Sequence, residues 1–157
     1  YKRQVSKKLT FNVFSVIRDR QITKKNTINE KKEGYIRVIK ARNIQDDGSI
    51  VDIDGYDTYI SPVICKKLSI ASYIGDASVY LTPNMTYNPR VISNVSYAVP
   101  DGSVAVLVPK KPMHLTQQQL NFFSSKEYRS FYLIARNFST QSINVDSKSV
   151  FFYGVLK

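Results

Sequence analysis

The hydrophobic period of this chain changes once, near Thr116, and that change limits the folds open to it. Before Thr116, apolar residues sit in short β-branched or aromatic runs bounded by Pro, Gly, Asn and Asp, the pattern of strands separated by turns. Residues 35–39, YIRVI, read as a strand. Residues 103–108, SVAVLV, read as a buried strand, entered from Pro100-Asp101-Gly102 and ended by Pro109. After Thr116 the spacing becomes helical. Thr116 followed by Gln119 is a capping-box pattern that opens a short helix running to about Phe123. Ser124 or Ser125 opens a second, SKEYRSFYLIAR, with Tyr128, Phe131, Tyr132 and Ala135 at i, i+3, i+4, i+7. The expected fold class is α+β: a β-rich domain with a C-terminal helical hairpin.

The remaining segments are less sharply marked. Residues 10–17 suggest a short turn or helix feeding a strand, and 18–34 a polar, basic loop. Asp46-Asp47-Gly48 predicts a turn, with 49–56 continuing as a strand and 56–64 as another extended segment ending near Pro62. Segment 72–82 suggests a pair of strands about Gly75-Asp76, 83–90 a loop, and 149–156 a returning strand. Without repeat, linker or low-complexity tract, residues 1–157 form one domain. No run reaches the ~18 apolar residues of a membrane span, so no membrane association is expected, and nothing resembles a secretory signal. The lone cysteine, Cys65, is expected as a small buried thiol. The expected location is cytoplasmic, and a first residue that is Tyr suggests a piece of a larger protein.

Charge is distributed unevenly. Residues 1–42 hold 13 Lys/Arg against 3 Asp/Glu, residues 43–64 hold 5 Asp and no base, and residues 65–157 hold 10 basic against 4 acidic side chains, for a net charge of +11. So basic a surface favours a polyanion through phosphate neutralisation and counterion release.

No set of residues reads as an active site. His114, between Met113 and Leu115, has no nucleophile identifiable beside it. Asp52 and Asp54 alternate with Val51 and Ile53, and the Asp46–Asp57 group lacks the closing glutamate of a calcium loop. Asp57 with Lys66 and Lys67 is a loose match to a nuclease site. The six glycines are scattered singly, so there is no phosphate-binding Gly-rich loop. Neither a catalytic residue nor a metal is expected.

Two segments stand apart: 81–92, LTPNMTYNPRVI, and 134–143, IARNFSTQSI. Both are rich in Asn, Thr, Ser and Gln, and each carries a single arginine. Such side chains read donor and acceptor patterns at base edges. The opening KLTFNVFSVIRDRQITKKNT, then GYIRVIKARNIQDDGSIVDID with its turn Arg42-Asn43-Ile44-Gln45-Asp46-Asp47-Gly48-Ser49-Ile50, resembles the entry of target-recognition domains. These occur in the specificity subunits and DNA methyltransferases of restriction–modification systems. The second half, LTPNMTYNPRVI, GSVAVLVPK and QQLNFFSSKEYRSFYLIARNFSTQSINVDSKSVFFYG, is similar to the C-terminal region of adenine-specific methyltransferases of type II (type IIS-like) systems. Together the resemblance spans about residues 9–156. One position departs: Gln141 stands where that pattern has an arginine.

The resemblance implies a DNA methylase specificity-domain-like fold that docks on duplex DNA. A separate methyltransferase domain in cis would flip and methylate adenine, with a cognate restriction endonuclease as a further partner. S-adenosylmethionine would belong to that catalytic domain. The (Asp/Asn)-Pro-Pro-(Tyr/Phe) motif is absent here, and Asn88-Pro89-Arg90 is no substitute.

Duplex DNA must be held by its phosphates and read at its base edges. The phosphate candidates are Arg18, Arg20, Lys24, Lys25, Lys110 and Lys111, in or beside predicted loops, with Arg37 and Arg42 flanking the 35–39 strand. The base-reading candidates are Asn84, Thr86, Tyr87, Asn88, Arg90, Asn137, Thr140 and Gln141. Most aromatics follow core spacing; Tyr87, in a polar loop, does not. Three other readings remain open: a single-strand or RNA-binding module that stacks bases on tyrosines, a small nuclease using the Asp cluster, and a protein-interaction domain with an acidic partner.

Overall fold

A computed structural model describes residues 2–86, 88–94, 96–135, 143, 144 and 149–157. The strands are β1 (Leu9–Thr10), β2 (Phe14–Ile17), β3 (Thr27–Ile28), β4 (Ile36–Ile39), β5 (Thr58–Ile60), β6 (Tyr80–Pro83), β7 (Met85–Thr86), β8 (Ile92–Ser93), β9 (Ala98–Pro100), β10 (Val104–Pro109), β11 (Ile143–Asn144) and β12 (Val155–Leu156). The helices are α1 (Lys2–Ser6), α2 (Pro62–Cys65), α3 (Gln117–Phe123) and α4 (Lys126–Ala135). The mixed α+β class expected from the sequence is present.

β10 organises the molecule. It pairs antiparallel with β2 on one side and β6 on the other, giving a sheet of order β2-β10-β6-β8. Because side chains alternate across a strand, Val104 and Val106 face one layer while Ala105 and Leu107 face another. A second sheet, β3-β5-β4-β9, covers the first layer through Ile36, Val38, Ile39, Ile60 and Val99. The helical hairpin covers the second through Phe123, Tyr128, Phe131 and Tyr132. A strand buried on both faces needs a near-continuous apolar run, which explains SVAVLV. The pairing of β4 with β9 is parallel, all others antiparallel.

The C-terminal hairpin forms as its local signals predict. The Thr116 hydroxyl accepts from the Gln119 amide, and the Gln119 side chain accepts from the Thr116 amide. Ser125 Oγ accepts from the Tyr128 amide at 3.1 Å and so caps α4. Tyr153 joins this layer, its ring edge-on to Tyr128 and Tyr132 and tilted against Phe123.

Four expectations are corrected. Residues 49–56 are not a strand; only Ile50 bridges Ile44. Side chains hold this segment together with backbone bonds such as Val51 N to Asn43 O: the buried Asp57 carboxylate accepts from the Ile53 amide and from Asn43 Nδ2, and Val51 O accepts from the Asn43 and Arg37 side chains. Segment 72–82 is not a pair of strands: a 3₁₀ turn over 69–73 runs into it, closed by Asn94 Nδ2 donating to Tyr73 O and Asp76 O, and only β6 is extended. Pro62 opens α2, with the Ser61 hydroxyl accepting from the Val63 amide. Residues 149–152, expected to begin a strand, form another 3₁₀ turn ahead of β12.

Candidate nucleic-acid interface

The loop expected at 18–34 is a structured, basic projection. Asp19, buried, accepts from the amides of Gln21 and Ile22. Asn26 then closes a turn: its Oδ1 accepts from the Thr23 amide, and its Nδ2 donates to Gln21 O. Lys24 and Lys25 stand at the tip, exposed, with Arg20 exposed beside them. The loop therefore holds its own shape while presenting cations to solvent. Arg18 is partly buried and donates to Gly102 O at 3.4 Å.

Lys110 and Lys111 are exposed but lie elsewhere. Pro109 pairs with Phe14 and Val106 with Ile17, so the pair follows one end of β10 while Arg18 leaves the other. The intervening strand is roughly 10–13 Å long. Lys110 Nζ donates to Asn12 Oδ1. Arg42 is exposed, its guanidinium 4.7 Å from the centre of the Tyr56 ring.

Two arginines chosen from sequence are tied into the fold. Arg37 pairs with Asp52 at 2.6 Å, lies 3.8 Å from Asp57 and donates to Val51 O. Arg90 is only 8% exposed, donating to Ile44 O at 2.8 Å and Asn88 O at 2.7 Å, 3.6 Å from an Asp46 oxygen. Burial lowers its pKa, and the Asp46 carboxylate opposes that shift. Segment 83–90, expected as a loop, holds β7, and Arg90 braces its 88–90 end against the 44–46 turn. Asn84 is likewise buried, its amide donating to Ser103 O. Neither Asn84 nor Arg90 presents its side chain at the surface, and both leave the base-reading set. Of the five aspartates in 43–64, Asp46, Asp52 and Asp57 are the partners of these arginines.

The motif Arg42–Ile50 resolves into a structural turn. Asn43 and Ile44 are fully buried, and Gly48 takes φ 85°, a left-handed conformation that favours glycine. Asn88 is half-buried, its Nδ2 3.4 Å from Asp46 Oδ2.

The two polar segments meet. β7 and β11 pair antiparallel, with Ile143 opposite Thr86 and Asn144 opposite Met85. Tyr87, Asn137, Thr140 and Gln141 lie outside the described residues. β7 continues from the Pro83 end of β6, and Pro83 pairs with Val104. The ribbon therefore starts from the end of the central sheet where Arg18 meets Gly102, away from Lys110 and Lys111.

Sequence reading passed over Lys66 and Lys67 as cations of this surface. Both are exposed. The signal was the KK pair that closes Pro62-Val63-Ile64-Cys65-Lys66-Lys67. Among the described residues, no three His, Cys, Asp or Glu side chains converge to hold a metal, and no helix is long and apolar enough to cross a membrane. His114 is exposed and Cys65 buried. No family model and no curated protein matches the chain.

Proposed function

We propose that this chain is a sequence-specific double-stranded DNA recognition domain. In this reading it positions a separate S-adenosylmethionine-dependent adenine methyltransferase domain of a restriction–modification system, within a cytoplasmic protein. The observation that carries the reading is the β7–β11 pairing. It pairs Met85–Thr86 of one Asn-, Thr- and Ser-rich segment antiparallel with Ile143–Asn144 at the end of the other, nearly sixty residues on in sequence. A two-stranded ribbon has the width of the major groove. The exposed Arg20, Lys24 and Lys25 supply phosphate contacts. Thr86, Tyr87, Asn88, Asn137, Thr140 and Gln141 remain the base-reading candidates.

The test is fluorescence anisotropy of the chain with labelled duplex DNA, single-stranded DNA and RNA across a salt series, followed by site selection from a randomised duplex pool. Duplex preference with a steep salt slope and an enriched sequence supports the reading. A preference for single strands or RNA, or absence of duplex binding at low salt, overturns it.

A further inference from the structure

Apart from the polar ribbon, an exposed apolar knob stands within a group of cations. α2 follows β5 directly, and its side chains Val63 and Ile64 are 58% and 39% exposed, beside exposed Pro62, Lys66 and Lys67. Here they are held rigidly: Ser61 caps the turn, and Cys65, fully buried, anchors it in the core between the two sheets.

The 18–26 loop ends at the same place. Thr27 pairs with Ile60 in antiparallel register, so residues 24–26 approach the end of β5 from which Ser61 and α2 emerge. Ile22 packs on the same core cluster as Cys65 and Leu68. Burial, and after it the Asp19 carboxylate, raises the Cys65 thiol above its ordinary pKa, which also puts the 19–22 turn beside α2. Arg20, Lys24 and Lys25 from one segment and Lys66 and Lys67 from another thus border Val63 and Ile64. None of these five cations has a salt-bridge partner among the described residues.

We propose that this knob is a second DNA contact, in which Val63 and Ile64 wedge into the minor groove of a duplex while Arg20, Lys24, Lys25, Lys66 and Lys67 hold the flanking phosphates. The inference rests on the duplex-binding reading above and adds a consequence that reading does not contain: binding deforms the DNA. Apolar side chains inserted at a base step unstack it and bend the helix towards the major groove. Charge complementarity selects the occupant, since five cations around two aliphatic side chains match closely spaced phosphates on either side of an opened step.

The experiment uses the full chain and a duplex labelled at both ends, bearing the selected site. Binding is read by anisotropy and bending by energy transfer between the ends. The expected result is increased transfer on binding by the wild type. In the Val63→Ala/Ile64→Ala variant the increase is lost, affinity falls roughly tenfold, and the salt slope is unchanged. Both side chains are solvent-exposed, so the variant should fold; its far-UV circular dichroism and melting temperature verify that. Tight duplex binding with no change in end-to-end transfer, or bending retained by the variant, removes the wedge while leaving the recognition reading intact. Absence of duplex binding by the wild type removes both. Sedimentation with phosphatidylserine-containing vesicles that depends on Val63 and Ile64, without DNA bending, would assign the knob to a lipid surface and overturn the proposal.

Discussion

At the scale of single residues, Arg90 illustrates how a side chain's role is decided far along the chain. In sequence it is the lone cation of a polar segment, the pattern of a guanine reader. In the structure its guanidinium donates to Ile44 O, a carbonyl 46 residues away. Local sequence carries no trace of that partner. Replacing Arg90 by Ala leaves buried carbonyls without donors, at about 2–3 kcal/mol, or a melting point lowered by about 5–10 °C for a domain of this size. Lys24→Ala, at an exposed loop tip, should stay within about 0.5 kcal/mol of wild type. Thermal denaturation of the two variants side by side checks the pair; an unchanged melting point for Arg90→Ala contradicts the brace. Gly102 gives a second case. A Cβ there would lie 2.6 Å from Asp19 O, because the 18–19 segment crosses the turn before β10 at backbone contact. Gly102→Ala should therefore destabilise by about 1–3 kcal/mol, the cost of overpacking, read in the same melts.

At the scale of elements, legibility followed the range of the interactions that define each one. The α3 start was readable because Thr116 and Gln119 complete each other within four residues. β10 was readable because its double-sided burial leaves an unbroken apolar run. The 49–56 segment was misread because its alternating Val, Asp and Ile residues imitate a strand. It is held instead by hydrogen bonds that include those to the side chains of Asn43 and Asp57, which a period count does not register. The start of segment 72–82 was misread similarly, the 69–73 turn being closed by Asn94, just past β8. These differences separate predicted costs. Thr116→Ala removes one cap and should lower stability by about 1 kcal/mol, with Thr116→Ser restoring most of it. Asp57→Ala removes the acceptor for Ile53 N and Asn43 Nδ2 in a buried setting and should cost more, about 2–4 kcal/mol. Urea denaturation orders them; a larger loss for Thr116→Ala would show that the 43–57 turn does not depend on its side-chain clamp.

At the scale of the whole molecule, the sequence displayed a net charge of +11 but not where that charge acts, because topology decides which loops share an end. The central sheet separates the candidate cations into two groups. At the Val104 end, Arg18 reaches Gly102, and the β7–β11 ribbon leaves from Pro83, paired with Val104. At the other end, Lys110 and Lys111 follow Pro109, opposite Phe14. A duplex seated on the face that carries the 18–26 loop loses contacts when Lys24 and Lys25 are removed and keeps them when Lys110 and Lys111 are removed. Each lost phosphate contact reduces the slope of log K against log salt by about 0.9. The Lys24→Ala/Lys25→Ala pair should thus flatten the slope by roughly two for cognate and random duplex alike. Lys110→Ala/Lys111→Ala has the same formal charge change and should leave it unaltered. Since net charge is matched, a general electrostatic attraction predicts equal losses in the two variants, and equal losses in anisotropy titrations across the salt series would refute a DNA face that carries the 18–26 loop and excludes Lys110 and Lys111.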